Sequence, residues 1–289
     1  MQILEWCKAI LYGILEGITE WLPVSSTGHL ILFGERLPFR FTADAGLLAE
    51  FEEMFEVVIQ LGAICAVLVL YWNRLVPMKK TKAERIQIRR LWGRVCIASL
   101  PAAVVGILVD RVILSLTGRD LDGWLYHAPV VAVALIVYGV AFLLPERFFG
   151  TRVTQIDSTD RISNRQAMGV GLFQALSLIP GTSRSGSTIL GARLMGLSRN
   201  EGTEFSFFMA IPVMLGAGGI KMLGFLQYVA ETGVTVPVDA WIILAIGCAV
   251  SFGVSMIAIR FLTDFVKRHS FAPFGIYRIL LGAAVLAWG

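Results

Sequence analysis

Apolar residues fill most of this chain in long runs, and polar and charged residues collect in the gaps. Six runs, at residues 55–72, 91–109, 124–144, 204–228, 238–262 and 270–288, are long enough to cross roughly 30 Å of hydrocarbon as helices. Two further apolar runs, 9–34 and 166–197, are broken near their middles by LPVSSTGH and IPGTSRSGS. Each half of a broken run is about ten residues long, too short to cross a bilayer alone. Backbone freed at such a break needs partners in protein or in a water-filled cavity, because lipid offers none. The pattern predicts an all-α integral membrane protein with six transmembrane helices and two re-entrant helix–loop–helix hairpins. The plainer alternative, two spans kinked at proline, leaves a dense set of hydroxyl and charged groups in lipid.

Composition agrees with a bilayer, at 56% hydrophobic and 16% charged residues with a mean hydropathy of +0.72. The net charge of +4 does not mark a nucleic-acid binder, because the basic residues sit between apolar runs and form no face with interleaved aromatics. Cys7, Cys65, Cys96 and Cys248 stand singly in apolar surroundings, as buried small hydrophobes do. The start, MQILEWCKAI, has neither a basic leader nor a small-residue cleavage site, so these residues are expected to be retained.

Loop charge orients the runs, since short cytoplasmic loops accumulate Lys and Arg. Residues 73–90 hold Arg74, Lys79, Lys80, Lys82, Arg85, Arg89 and Arg90 against Glu84 alone, and read as cytoplasmic. Alternation then puts 110–123 and 229–237 outside, and 145–165 and 263–269 inside. Arg193 and Arg199 also belong inside, which holds only if 166–197 leaves on the side it entered. By symmetry 9–34 enters and leaves from outside, where Glu50, Glu52 and Glu53 follow. The chain thus divides into halves, 1–150 and 151–289, each a hairpin followed by three spans, in an inverted-topology repeat. A faint echo accompanies it: LPVSSTGH then FEVVIQLGA in the first half, IPGTSRSG then EFSFFMAIP in the second.

The breaks carry the candidate chemistry. Glu16 and Glu20 are four residues apart, so on a helix their carboxylates share a face. Ionisable groups at membrane depth are costly and usually functional; this pair implies a general base, a divalent-metal site, or both, unless it simply lies in interfacial water. Ser25, Ser26, Thr27, Gly28 and His29 follow Pro23. Small residues admit close backbone approach, hydroxyls donate or attack, and a helix starting near Gly28 would aim N–H groups at an anion, although Ser/Thr here could equally be a helix cap. In the second break Thr182, Ser183, Ser185 and Gly186 surround Arg184, whose guanidinium matches phosphate oxygens bidentately; the plainer role is an arginine snorkelling to the interface. Glu56, Gln60, Glu204, Tyr277 and Arg278 are further polar residues within spans that could brace the loops, with interfacial placement equally open for Glu56, Glu204 and Arg278.

The string EGITEWLPVSSTGH, with FEVVIQLG, PGTSRSGST and EFSF after it, resembles the undecaprenyl pyrophosphate phosphatase family, also called bacitracin-resistance proteins, along essentially the whole chain. The resemblance implies that Glu16, Glu20, Ser26, His29 and Arg184 are active-site residues. From the loops themselves, Ser25, Thr27, Gly28, Thr182, Ser183, Ser185 and Gly186 are expected around the substrate, and Glu56, Gln60 and Tyr277 behind them. The implied reaction removes the terminal phosphate of a C55 polyprenyl diphosphate and returns the monophosphate carrier lipid to cell-wall synthesis, in the bacterial plasma (inner) membrane. A polyprenyl-phosphate flippase or secondary transporter is the alternative, because inverted repeats with broken helices are also a transporter pattern.

Such chemistry needs charge neutralised on the transferring phosphoryl group and attack held in line. Two carboxylates beside a polyanion repel it, so Mg²⁺ or Ca²⁺ at Glu16 and Glu20 is expected. The nucleophile is expected to be Ser26, with Glu20 or His29 taking its proton; attack by water held by Glu20 and His29, or phosphorylation of His29, stays open. The cavity is expected to face outside, because the carboxylate hairpin enters there. Partners are the lipid substrate and membrane lipid, with no nucleic acid; a homodimer is left open.

Overall fold

A computed structural model describes residues 2–26, 28–29, 37–78, 80–118, 125, 127–148 and 158–288. Every regular element among the described residues is helical. In chain order the α-helices are α1 (Gln2–Thr19), α2 (Ala45–Leu70), the short α3 (Trp72–Leu75), α4 (Lys82–Thr117), α5 (Ala128–Phe148), α6 (Asn164–Ala175), α7 (Arg184–Leu194), α8 (Arg199–Thr232), α9 (Val238–Arg268) and α10 (Ala272–Trp288), with 3-10 turns at Thr159–Arg161 and Leu176–Leu178. Four of them, α2, α4, α8 and α9, are long and apolar enough to cross a membrane, while α5 and α10 carry the shorter apolar stretches Ala128–Leu144 and Ala272–Ala287.

The helices overshoot the apolar runs because polar caps, not hydropathy, end them. Thr81 and Glu84 form a reciprocal capping box at the start of α4, and Ser198 accepts from the Glu201 amide at the start of α8. Gly118 and Gly233 close the same two helices in the left-handed conformation.

The first broken run departs from its expected form. Its leading arm is one 18-residue helix from Gln2, not a short half beginning at residue 9. The polar residues in its first turns are consumed internally, since Lys8 pairs with Glu5 at 2.8 Å. The same two side chains hold the returning chain: Lys8 donates to the Pro38 carbonyl (2.5 Å), and Glu5 accepts from the Arg40 amide (2.9 Å). Most of the second arm lies outside the described residues. In the second broken run α6 and α7 pack as a helical hairpin, with its feet joined by Gln166 Nε2 donating to the Met195 carbonyl (2.9 Å).

Packing follows an exchange of halves: α1 lies along α9 as α6 lies along α4, α2 touches α9 as α8 touches α4, and α2 pairs with α8 as α5 pairs with α10. The seams are made by small residues. A Cβ on Gly62 would lie 2.1 Å from the Cys248 carbonyl oxygen, and one on Gly171 would lie 2.3 Å from that of Ala98. Such close backbone approach is how helices associate in lipid, where apolar surface gives no drive to aggregate.

One end of the bundle gathers the start of α1, the start of α9 and the end of α8, through Gln2 to Asp239 (2.7 Å), Trp241 on Phe225 and the Lys221–Glu53 ion pair. The opposite end holds Arg74 paired with Glu204, Arg94 on the Thr159 carbonyl (3.1 Å) and Arg199 on the His269 carbonyl (3.4 Å). Between them the two loops enter the largest apolar cluster, where Trp21, Val24, Phe142, Ile189 and Phe207 are buried.

Candidate active site

The first loop begins on the last turn of α1, where the Glu20 amide still bonds to the Glu16 carbonyl (3.0 Å) and keeps the two side chains on one face. Both carboxyls are buried, at 1% and 7% exposure, and they contact one another. Trp21 packs edge-on against Phe207, with ring centroids 5.2 Å apart. At Ser25 the backbone takes φ +73°, and helical geometry resumes at Ser26. The second loop repeats the device: Ser183 has φ +69°, caps α7 by accepting from the Gly186 amide, and Arg184 is the first helical residue. A left-handed conformation costs a serine about 1–3 kcal/mol and persists only where the surroundings impose it.

Ser25 and Ser183 are the positive-φ residues other than glycine among those described, and aligning the sequence on them gives one register between the two loops. Ser26 then matches Arg184, Gly28 matches Gly186, Gly13 matches Gly171, and Glu16 matches Gln174. The prolines fall out of step by one, because Pro23 precedes its serine by two residues and Pro180 by three. The loops are of equal length in this register and only the proline has moved; Gly181, at φ +89°, lies so near Val131 that a Cβ would sit 2.5 Å from the Val131 carbonyl oxygen.

Three contacts bring the loops together. Arg184 donates Nε (3.1 Å) and Nη2 (2.8 Å) to one oxygen of Glu20, and Nη1 to the Ser206 carbonyl (2.9 Å). Its guanidinium carbon stands 6.0 Å from the Trp21 ring centroid. These bonds use three of its five N–H groups. Ser185 hydroxyl reaches the Leu22 carbonyl (3.4 Å) and lies 3.2 Å from the Ser183 hydroxyl. Arg278, fully buried, donates to Pro23 of the first loop (3.3 Å) and to Gly181 and Thr182 of the second (both 2.8 Å), always at carbonyl oxygens.

His29 has both ring nitrogens engaged, Nδ1 with the Ser25 carbonyl (2.7 Å) and Nε2 with the Tyr277 hydroxyl (2.6 Å). A carbonyl can only accept, so Nδ1 carries the hydrogen, and in the neutral ring Nε2 accepts from the tyrosine. Glu20, Ser26, Gln60, Ser177, Ser183 and Arg184 share the wall of one cavity of about 210 Å³. Ser25 is buried with its hydroxyl unpartnered, and so is Glu16 Oε1. Gly28 packs against Leu135 and Leu281. Glu56, half-buried on α2, is close enough to Glu16 for their charges to interact. Thr27 lies outside the described residues. Glu204 pairs with Arg74.

Arg278 is the residue whose role the sequence leaves unresolved and the structure makes central. Its signal was a lone charge inside FGIYRILLGAAVLAW; its partners are backbone carbonyls, which no residue type announces. Gln174 is the second omission, buried with both amide atoms unpartnered in the place that Glu16 holds in the first half. Among the described residues no group of three or more His, Cys, Asp or Glu could hold a metal ion. The donor set on offer is the buried carboxyl pair, in which Glu16 is the less committed member.

A family model described as bacitracin resistance protein BacA matches residues 9–284. The undecaprenyl-diphosphatase of Lactococcus lactis subsp. cremoris (strain SK11) is 47% identical over 294 aligned positions, covering 99% of this chain and 97% of that protein. Those of Streptococcus mutans serotype c and Enterococcus faecalis are 46% and 44% identical, covering 100% and 99% of this chain and 98% of each relative. The match runs through both loops and every helix between them, and the chain belongs to the bacitracin resistance protein BacA family.

Proposed function

We propose that the protein is a membrane-embedded phosphatase that hydrolyses undecaprenyl diphosphate to undecaprenyl phosphate and inorganic phosphate. The observation that carries this is the single cavity lined by Ser26, Glu20 and Arg184, a nucleophile, a base and a phosphate-binding cation from opposite halves. The diphosphatase relatives at 44–47% identity over nearly their full lengths name the same activity. A transporter has no use for a serine set beside a carboxylate and an arginine.

Arg184 meets the terminal phosphate with its two uncommitted N–H groups, and the phosphate competes with Glu20 for Nε and Nη2. Glu20, released from the guanidinium, takes the Ser26 proton as Oγ attacks the terminal phosphorus. The bond from that phosphorus to the bridging oxygen breaks, and the lipid monophosphate leaves. Water then cleaves the phosphoserine, giving inorganic phosphate and restoring the hydroxyl. His29, tied to Ser25 and Tyr277, holds the strained turn that aims Ser26. The residues also fit a divalent cation, because Glu16 Oε1 is buried without a partner beside Glu20. Mg²⁺ or Ca²⁺ held by Glu16, with Glu20 adjacent, would supply charge neutralisation to the diphosphate.

The fold is read as six spans, α2, α4, α5, α8, α9 and α10, with two oppositely inserted hairpins in an inverted repeat of 1–150 and 151–289. The exchange of packing partners between halves and the tied feet of each hairpin support it. The basic residues around Arg74 and Arg94 mark the cytoplasmic end of a bacterial plasma-membrane protein, so the carboxylate hairpin enters from outside and the cavity faces that side.

The test is rapid-quench hydrolysis of polyprenyl diphosphate labelled in its terminal phosphate. Label on Ser26, lost in Ser26→Ala together with turnover, is the expected result. Full turnover by Ser26→Ala removes the serine nucleophile; turnover without any labelled protein replaces it with water.

A further inference from the structure

The catalytic cavity has an apolar side that the phosphate chemistry does not use. Val213, Met214 and Ala217 of α8 line it together with the polar set. Burial changes sharply along that stretch: Met214 is 4% exposed, Leu215 is 52% exposed and Ala217 is exposed. The apolar wall therefore runs from the loops to the outer face of α8. Nothing crowds the exit, because an added Cβ on Gly216 or Gly219 would meet no atom within 4 Å, and Ala217 presents one methyl group. A ligand complementary to the whole cavity carries anionic oxygens at one end and an apolar chain at the other.

We propose that Val213, Met214 and Ala217 form the tail subsite, over which the first isoprene units of the polyprenyl diphosphate leave the catalytic loops for the bilayer. The proposal rests on the phosphatase activity above and assigns the route and the residues that gate it. A second apolar groove, about 220 Å³ along Leu11, Tyr12, Ile14, Leu15, Ile18 and Leu37, shares no lining residue with the catalytic cavity. A tail lying there would have to leave the cavity that holds its own head group. The α8 wall belongs to that cavity and needs no such detour.

Bulk at position 217 should therefore obstruct the chain and leave the chemistry intact. In detergent, with C55 diphosphate as substrate, Ala217→Leu and Ala217→Trp should raise KM in that order, about tenfold for the tryptophan, while kcat stays within about twofold of the parent. Leu223→Trp adds the same bulk to an exposed position of α8, and Leu11→Trp adds it to the α1 groove; both should behave as the parent. Retained kcat in the leucine variant separates obstruction from misfolding. Unchanged KM in both Ala217 variants overturns the proposal, as does loss confined to kcat. A rise in KM with Leu11→Trp instead would move the tail to α1. A parent protein that releases no phosphate from the substrate would refute the phosphatase activity itself, a different failure.

Discussion

Among the described residues Arg278 pairs with no carboxylate, yet it is fully buried and its guanidinium joins Pro23 to Gly181 and Thr182. Carbonyl dipoles from two loops, and the Tyr138 ring 5.5 Å from its guanidinium carbon, take the place of a counter-ion. Removing it orphans those carbonyls at about 1–3 kcal/mol each and loosens both loops at once. We expect Arg278→Met to lower kcat by about 10- to 100-fold with KM little changed, and to lower the thermal midpoint. Arg278→Lys should restore little, because one ammonium cannot reproduce a planar fork spanning two loops. Purified variants assayed for phosphate release and thermal unfolding check both statements; normal kcat in Arg278→Met would remove its positioning role. Glu16, Glu20, Ser26 and Arg184 stand out as candidates in the sequence because each is a polar residue where apolar ones belong. Arg278 was visible for the same reason, but its duty was not, since carbonyls leave no trace in residue identity.

Glycines set how closely several of the helices approach. Gly171 lets α6 lie on α4, and Gly13 lets α1 lie on α9, where a Cβ would stand 2.7 Å from the Gly247 carbonyl oxygen. The rigid neighbour in each case is backbone, so a larger residue must push the helices apart. We expect Gly171→Leu to destabilise the detergent-solubilised protein by about 1–3 kcal/mol and to displace Arg184 from Glu20, abolishing turnover with it. Gly216→Leu, on open surface, should cost little by comparison, and equal unfolding midpoints for the two would contradict this account of the seams. Hydropathy located the helices but not their ends, because caps such as Thr81 and Gly118 decide where a helix stops after the apolar run has ended. It also misjudged α1, which starts at Gln2 and not at residue 9, with Glu5 and Lys8 paired within the helix.

At the scale of the molecule, the two opposed hairpins proposed above rest on loop charge, because Lys and Arg report side directly. How the halves interdigitate was not legible: the pairings of α1 with α9 and α6 with α4 depend on small residues meeting across long sequence separations. Topology can be tested with single cysteines in a background lacking Cys7, Cys65, Cys96 and Cys248. An impermeant thiol reagent applied to intact cells should label Thr235→Cys, and should reach Arg85→Cys, Arg165→Cys and Arg199→Cys only after permeabilisation. Arg165 and Arg199 flank the second hairpin, so their labelling from opposite sides would make it a full span and remove the inverted repeat.

The claim on which the rest depends is that two loops from opposite halves make one hydrolytic site. The most direct measurement is inorganic phosphate released from undecaprenyl diphosphate by the purified protein, compared with Glu20→Gln and Arg184→Ala of verified fold. The parent should turn over, and each variant should fall by about 10²-fold or more. Near-parental release by either folded variant, or none by the parent, would contradict it.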